Sequence, residues 1–248
     1  MTLTLDHVAV GLADAQPALR RLTAELGGTV IGGGIPDRTG FRIVHVHLGE
    51  PHDLGMTIEL LEPFEAWHND FLERFVTRRG DGPHHLTFKT NDIRAEHERL
   101  LGLGITPIGV RFDTPSWKEM FVHPRHAHGV VVQIAESPSH HSPLPERLEM
   151  ARVADLTFDG TKWWGDAAAG RAERSVRLRR VVLGATDVAH TTSFWTDVMG
   201  ARTQGGDLVW AGGHLAVVKD AADGVLRFDV AGLGEPTDIG GTQLVPIP

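Results

Sequence analysis

One pattern runs twice through the first 136 residues, and it narrows the fold more than any single motif. Leu5-Asp6-His7-Val8-Ala9-Val10-Gly11 and Gly82-Pro83-His84-His85-Leu86-Thr87-Phe88-Lys89-Thr90 each read as a strand with two unlike faces and a histidine near its start. An amphipathic helical run follows each, and three more strand-like runs follow that. In the first copy the helix spans about Asp14 to Leu26, with Leu19, Leu22 and Leu26 at helical spacing and Gly27-Gly28 closing it. The strands then fall near Thr29–Ile31, Phe41–Leu48 and Gly55–Leu61. Gly32-Gly33-Gly34 reads as a bulge or bend. After a linking segment with a short helix around Trp67 to Arg78, the second copy places a helix at Asp92–Leu101 and strands at Ile105–Val110, Trp117–His123 and Gly129–Ala135. Strand-helix-strand-strand-strand, used twice, is a repeat, and repeats decide the architecture before local propensities do.

Beyond residue 136 the pattern lapses and then returns in weaker form. Residues 137–174 are read as a linker packed on the body, because the adjacent Trp163 and Trp164 are too apolar to stay in solvent. A third copy starts with a strand at Ser175–Gly184, a helix at Asp187–Met199 capped by Asp187 and ended by Gly200, and short strands at Leu208–Ala211 and His214–Val218. Val225–Val230 and Thr242–Ile247 read as the first and last strands of a shrunken fourth copy. The expected class is therefore α+β: paired βαβββ modules forming a cupped mixed sheet, then a degenerate second module pair. The domain reading is 1–136 for the metal-binding pair, 137–174 for the linker and 175–248 for a pair without a metal site.

His7 and His85 occupy the first strands of modules one and two, and Glu59 and Gln133 the last strands. Fifty-two residues separate His7 from Glu59 and 48 separate His85 from Gln133. If the modules pair about a pseudo-twofold axis, two imidazoles and two side-chain oxygens converge on one sheet face. That set suits one borderline divalent ion: Zn, Ni, Co, Mn or Fe. A carboxylate buried on a sheet face is costly without a cation nearby. With no cysteine in the chain, disulfides and thiolate ligands are excluded, so His and side-chain oxygens must do the ligating. Thirty-two acidic residues against 24 basic ones give a net charge of −8, which argues against a nucleic-acid or anionic-membrane partner. No apolar run reaches the length of a membrane span, and the N-terminal residues lack a signal-peptide pattern, so the expected location is the cytoplasm.

The segments LDHVAV, MTIELLEP, GPHHLTFKT and FVHPRHAHGVVVQIAE resemble the vicinal oxygen chelate superfamily of glyoxalases, extradiol dioxygenases and bleomycin resistance proteins, and in wording they are most similar to methylmalonyl-CoA epimerases. The resemblance covers about residues 3–136. It implies paired modules cupped around a divalent metal held by His7, Glu59, His85 and Gln133. The epimerase pattern has Gln at the second ligand position and Glu at the fourth, so here the two are exchanged. Its catalytic Glu before the third strand is replaced near Arg38, which argues against that particular epimerase reaction. Candidates to move a proton are then Glu59, by analogy with glyoxalase I, and His45 or His47 on the third strand. Trp117, Glu119 and Phe121 are their counterparts in module two and candidate substrate contacts. In module three Arg180 stands where His7 stood.

The implied activity is proton abstraction from a small oxygen-chelating carbonyl substrate through a metal-stabilised enolate, of the isomerase, epimerase or lyase kind. A non-haem Fe(II) dioxygenase of the extradiol type stays open, since two His and a carboxylate form its ligand set. So does a non-catalytic small-molecule binding or resistance protein. The expected partner is a small-molecule substrate, with a homodimer left open.

Overall fold

The computed structural model describes residues 3–49, 56–138, 162–165 and 176–248. Most of the expected linker, 139–161 and 166–175, lies outside the described residues, as do Gly55 and Ser175 at two expected strand starts. Module one is β1 (Thr4–Gly11), helix α1 (Gln16–Arg20), β2 (Thr29–Gly34), β3 (Phe41–His47) and β4 (Thr57–Pro63). Helix α2 (Phe71–Arg79) links it to module two: β5 (Gly82–Lys89), α3 (Ile93–Gly102), β6 (Ile108–Arg111), β7 (Lys118–Val122) and β8 (Val131–Glu136). Their strands form one eight-stranded sheet ordered β2-β3-β4-β1-β5-β8-β7-β6. Each module runs its last strand beside its first, and β5 and β8 pair in parallel with His85 opposite Val131 and Thr87 opposite Gln133.

The third module is β9 (Arg177–Ala185), α4 (Val188–Ser193), β10 (Arg202–Gln204), β11 (Asp207–Trp210) and β12 (Gly213–Lys219). The fourth has no helix among its residues and keeps β13 (Gly224–Ala231), β14 (Thr237–Asp238) and β15 (Gln243–Ile247). They build a seven-stranded sheet, β10-β11-β12-β9-β13-β15-β14. The parallel first-to-last pairing recurs in β12 with β9 and in β13 with β15. The architecture is mixed α+β with paired βαβββ modules, as the repeat requires.

Where elements differ from expectation, the causes are local. The single helix expected over 14–26 is α-helical only to Arg20 and continues as a π-helical turn, Arg21–Glu25. Pro17 occupies its first turn, where its missing N–H costs no hydrogen bond. The Thr23 hydroxyl donates back to the Leu19 carbonyl at 2.9 Å, a local bond that competes with the regular ladder. Helix α4 widens in the same way into Phe194–Val198, and Asp187 caps it by accepting from the His190 N–H at 3.0 Å. Helix α2 starts later than the pattern suggests, leaving Trp67 in a turn and 78% exposed. Strands β10 and β14 are short and mostly polar, so alternation does not announce them.

By packing, the chain falls into two compact units. One comprises residues 1–7, 85–141 and 180–227. Within it Phe88 of β5 meets Trp210 and Trp195 with ring centroids 5.1 and 6.1 Å away, and Arg99 of α3 donates to the Val198 carbonyl at 2.8 Å. The other comprises residues 8–84, 142–179 and 228–248. Within it Arg21 donates to Thr237 Oγ1 and the Asp238 carbonyl, both at 3.0 Å. Module two therefore packs with module three, and module one with module four.

The triple glycine carries the expected bulge, with the β2–β3 register shifting between Val30 and Gly32. It also admits Trp164: a Cβ on Gly33 would lie 2.6 Å from that indole. Trp163 Nε1 donates to the Ile43 carbonyl at 2.9 Å, and its ring covers the Arg42 guanidinium at 4.3 Å. The two tryptophans thus contact β2 and β3. No helix among the described residues is long and apolar enough to cross a membrane.

Candidate metal centre

β1, β4 and β5 are neighbours at the middle of the eight-stranded sheet, and each carries one candidate ligand. His7, Glu59 and His85 are all buried, and each offers a ligand atom within 4.8 Å of the other two. Ligand atoms around one ion with bonds near 2.1 Å stand about 3.5 Å apart, so small side-chain adjustments close this set. Among the described residues no other group of three His, Cys, Asp or Glu does this.

The surroundings of the donors favour ligation. Asp6 Oδ2 lies 2.8 Å from His7 Nδ1. Holding the proton on Nδ1 leaves Nε2 as the lone-pair donor, the arrangement that carboxylates enforce on metal-binding histidines. The His7 and His85 rings are 6.0 Å apart at 68°, edge toward face. Two imidazole nitrogens and one carboxylate oxygen, all buried, suit a borderline divalent cation.

His45 stands directly opposite Glu59 in the β3–β4 register, and its Nε2 is 3.1 Å from Glu59 Oε1. His47 is one pair farther along, opposite Thr57, with Nδ1 3.4 Å from the threonine hydroxyl oxygen. On the other side of Glu59 the same rows turn apolar: Ala9, Ile43 and Leu61 form a cluster with Leu72 of α2, flanked by Phe41, Phe71 and Phe75. These apolar residues exclude water from that end. His84 packs on Phe75 and Phe71, 4.7 and 5.6 Å between centroids. Burial lowers its pKa to about 4, against an opposing pull from the Glu59 charge, so His84 is a neutral imidazole at pH 7.

Gln133, the fourth expected ligand, lies in a hydrogen-bonded chain on β5, β8 and β7. Its Oε1 accepts from the Thr87 hydroxyl at 2.7 Å, and its Nε2 donates to Glu119 Oε2 at 2.7 Å. Glu119 also accepts from Trp117 Nε1 at 2.9 Å and from Arg111 Nε at 2.9 Å. Phe121 is opposite Gln133 and meets the His85 ring edge-on at 6.4 Å. Buried Lys89 lies over the Trp117 ring at 3.6 Å and donates to Ser137 Oγ at 2.6 Å. In module three, Arg180, aligned in sequence with the candidate ligand His7, donates to Asp207 Oδ1 at 2.7 Å.

Three contributors escaped the sequence reading. Asp6 precedes a candidate ligand and carried no separate signal. Thr87 looked like an ordinary strand residue. The α2 phenylalanines belonged to a segment read as a link. The adjacency of Asp6 to a candidate ligand was the one available clue.

The sequence profile of the glyoxalase-like domain matches residues 5–199. The chain belongs to this glyoxalase-like family, within the vicinal oxygen chelate superfamily, whose members bind a divalent metal. A hypothetical protein from Staphylococcus aureus has a similar fold over the whole of both chains, with a TM-score of 0.62 at 13% identity. Methylmalonyl-CoA epimerase from Mycobacterium tuberculosis is 26% identical over 54% of this chain and 87% of its own, with a TM-score of 0.47. A Streptomyces coelicolor methylmalonyl-CoA epimerase in complex with 2-nitronate-propionyl-CoA is 24% identical over 57% of this chain and all of its own, with a TM-score of 0.49. Comparison with curated proteins finds no match.

Proposed function

We propose that this chain is a divalent-metal-dependent enzyme that moves a proton next to a carbonyl of a small chelating substrate, as an isomerase, epimerase or lyase. The observation that carries the reading is the buried His7–Glu59–His85 group with His45 against the carboxylate of Glu59. His7, Glu59, His85 and Gln133 would hold the ion, one of Zn, Ni, Co, Mn or Fe. When bound, the ion supplies Lewis acidity toward a substrate carbonyl, which makes the adjacent C–H acidic.

The chain's own residues do the rest. Glu59 receives the proton on a carboxylate oxygen, and His45 Nε2, 3.1 Å from Oε1, can take it onward or stabilise the charge left behind. His47, bonded to Thr57, is the more remote alternative. Returning the proton to the same carbon, or expelling a leaving group instead, separates isomerase from lyase. Trp117 and Phe121 line the module-two side as substrate contacts. Residues 1–136 carry the metal-binding pair and 175–248 a pair without one, joined by 137–174. The cytoplasm is its proposed location, and a homodimer stays open.

A second reading is favoured by the same three side chains. Two histidines and a carboxylate are the facial ligand set of Fe(II) oxygenases. Elemental analysis of protein purified without chelator, repeated on His85→Ala, tests both. About one Zn, Ni, Co or Mn per chain, lost in the variant, supports proton transfer, and NMR in D₂O should then detect α-proton exchange in a panel of 2-oxo acids and acyl thioesters. Iron puts the oxygenase first. No metal in either protein sinks both readings and leaves a binding protein.

A further inference from the structure

Gln133 differs from the other candidate ligands in one chemical respect. A carboxylate presents oxygen whichever way it turns, and each imidazole presents a nitrogen. An amide has one ligating end and one end that repels a cation, so it works as a ligand only if its orientation is fixed. The residues around Gln133 fix it. Glu119 is buried and its carboxylate oxygens accept from Trp117 Nε1, Arg111 Nε and, at 2.7 Å on Oε2, the amide NH₂ of Gln133. The carbonyl oxygen is then turned toward Thr87, whose hydroxyl donates to it at 2.7 Å and leaves its second lone pair for another partner. Glu119 is itself held in place by donors, the Trp117 indole and the Arg111 guanidinium.

We propose that Glu119 is a positioning residue for the metal: it anchors the nitrogen end of Gln133 so that Oε1 faces the ion. The proposal rests on the reading of Gln133 as fourth ligand. It also accounts for a carboxylate on β7 at a row where β3 has Ile43: Ile43 is opposite Leu61, and Glu119 is opposite Ala135. In module one the ligand is a carboxylate and needs no such anchor.

Co²⁺ titration of the metal-free protein, followed by calorimetry and by the visible d–d spectrum, tests this on the full chain. Glu119→Leu should weaken Co²⁺ binding about 10- to 100-fold and change the spectrum, as loss of an outer partner does. Glu119→Gln, which keeps an acceptor and the volume, should recover most of the affinity and the native spectrum. If Glu119 acts through Gln133, adding Glu119→Leu to Gln133→Ala should cost nothing more. Additive losses in that double variant overturn the proposal, and so does a Glu119→Leu protein with native affinity and spectrum. If Gln133→Ala binds Co²⁺ normally while His85→Ala does not, Gln133 is no ligand and the positioning role falls, but the three-residue site stands. If the native protein binds no Co²⁺, the proposed function falls with it.

Discussion

Modules one and two place equivalent side chains at equivalent rows of the same sheet and then surround them with opposite chemistry. Glu59 faces His45 across β3–β4, whereas Gln133 faces Phe121 across β7–β8. One row farther, module one pairs Ile43 with Leu61 in an apolar cluster with Leu72, whereas module two pairs Glu119 with Ala135, and that Glu119 joins Thr87 in a hydrogen-bonded chain through Gln133. The module-one half therefore pairs its carboxylate with a second titratable group. The module-two half ties its oxygen donor between a hydroxyl and a fixed carboxylate. A duplicated backbone supplies positions, and under the proposed function the difference between copies gives Glu59 the proton-moving role and Gln133 the static one.

Making the halves alike is the most severe way to break that comparison. Glu59→Gln gives each half an amide and removes the proton acceptor. Turnover of the substrate returned by the exchange screen should fall about 10²- to 10⁴-fold. A variant that keeps its rate would show that the proton goes elsewhere. His45→Phe copies Phe121 into module one and leaves all four proposed ligands. It should cost about 10- to 100-fold in rate with metal content unchanged, the usual scale for a group acting on a ligand. Equal loss of metal and rate would instead make His45 a support for the site. Gln133→Glu works in the other direction, setting a second buried carboxylate against Glu119. Without metal that protein should be less stable by about 3 kcal/mol, read by urea unfolding, because the Glu119 oxygen loses its donor and gains a like charge. Added Co²⁺ should restore part of that loss.

The sequence made positions legible and left their partners hidden. His7, Glu59 and His85 were found because the repeat supplies a register: the same strand, near the same offset, in each copy. The three then meet on adjacent strands. Contacts made within only one copy have no such signal. Nothing in the spelling of Thr87 or Glu119 tells that they bracket Gln133, because that depends on the parallel β5–β8 and antiparallel β7–β8 registers. Nor does any sequence spacing bring Phe88 against Trp195 and Trp210, which lie more than 100 residues away. The third and fourth copies were legible only in part. Strands β10, β11 and β14 have two to four residues, and the fourth module replaces its helix with a brief connection. The break of α1 at Arg20 was hidden for a different reason, since Leu19, Leu22 and Leu26 are buried on both sides of it and read as one apolar stripe.

The mildest test acts on the hydroxyl alone. Thr87 follows His85 by two residues as Ala9 follows His7, so Thr87→Ala makes the module-two row match module one. The change removes one donor to Gln133 Oε1 and leaves Glu119 holding the nitrogen end. The oxygen keeps its orientation and loses one hydrogen bond in a buried place, a cost of about 1 kcal/mol. For a domain of this size that lowers Tm by about 2–4 °C. Co²⁺ affinity should change less than in Glu119→Leu, because a freed lone pair does not turn the amide around. If Thr87→Ala instead weakens Co²⁺ more than Glu119→Leu does, the hydroxyl is the true anchor of Gln133, and the carboxylate of Glu119 serves the packing of Trp117 and Arg111.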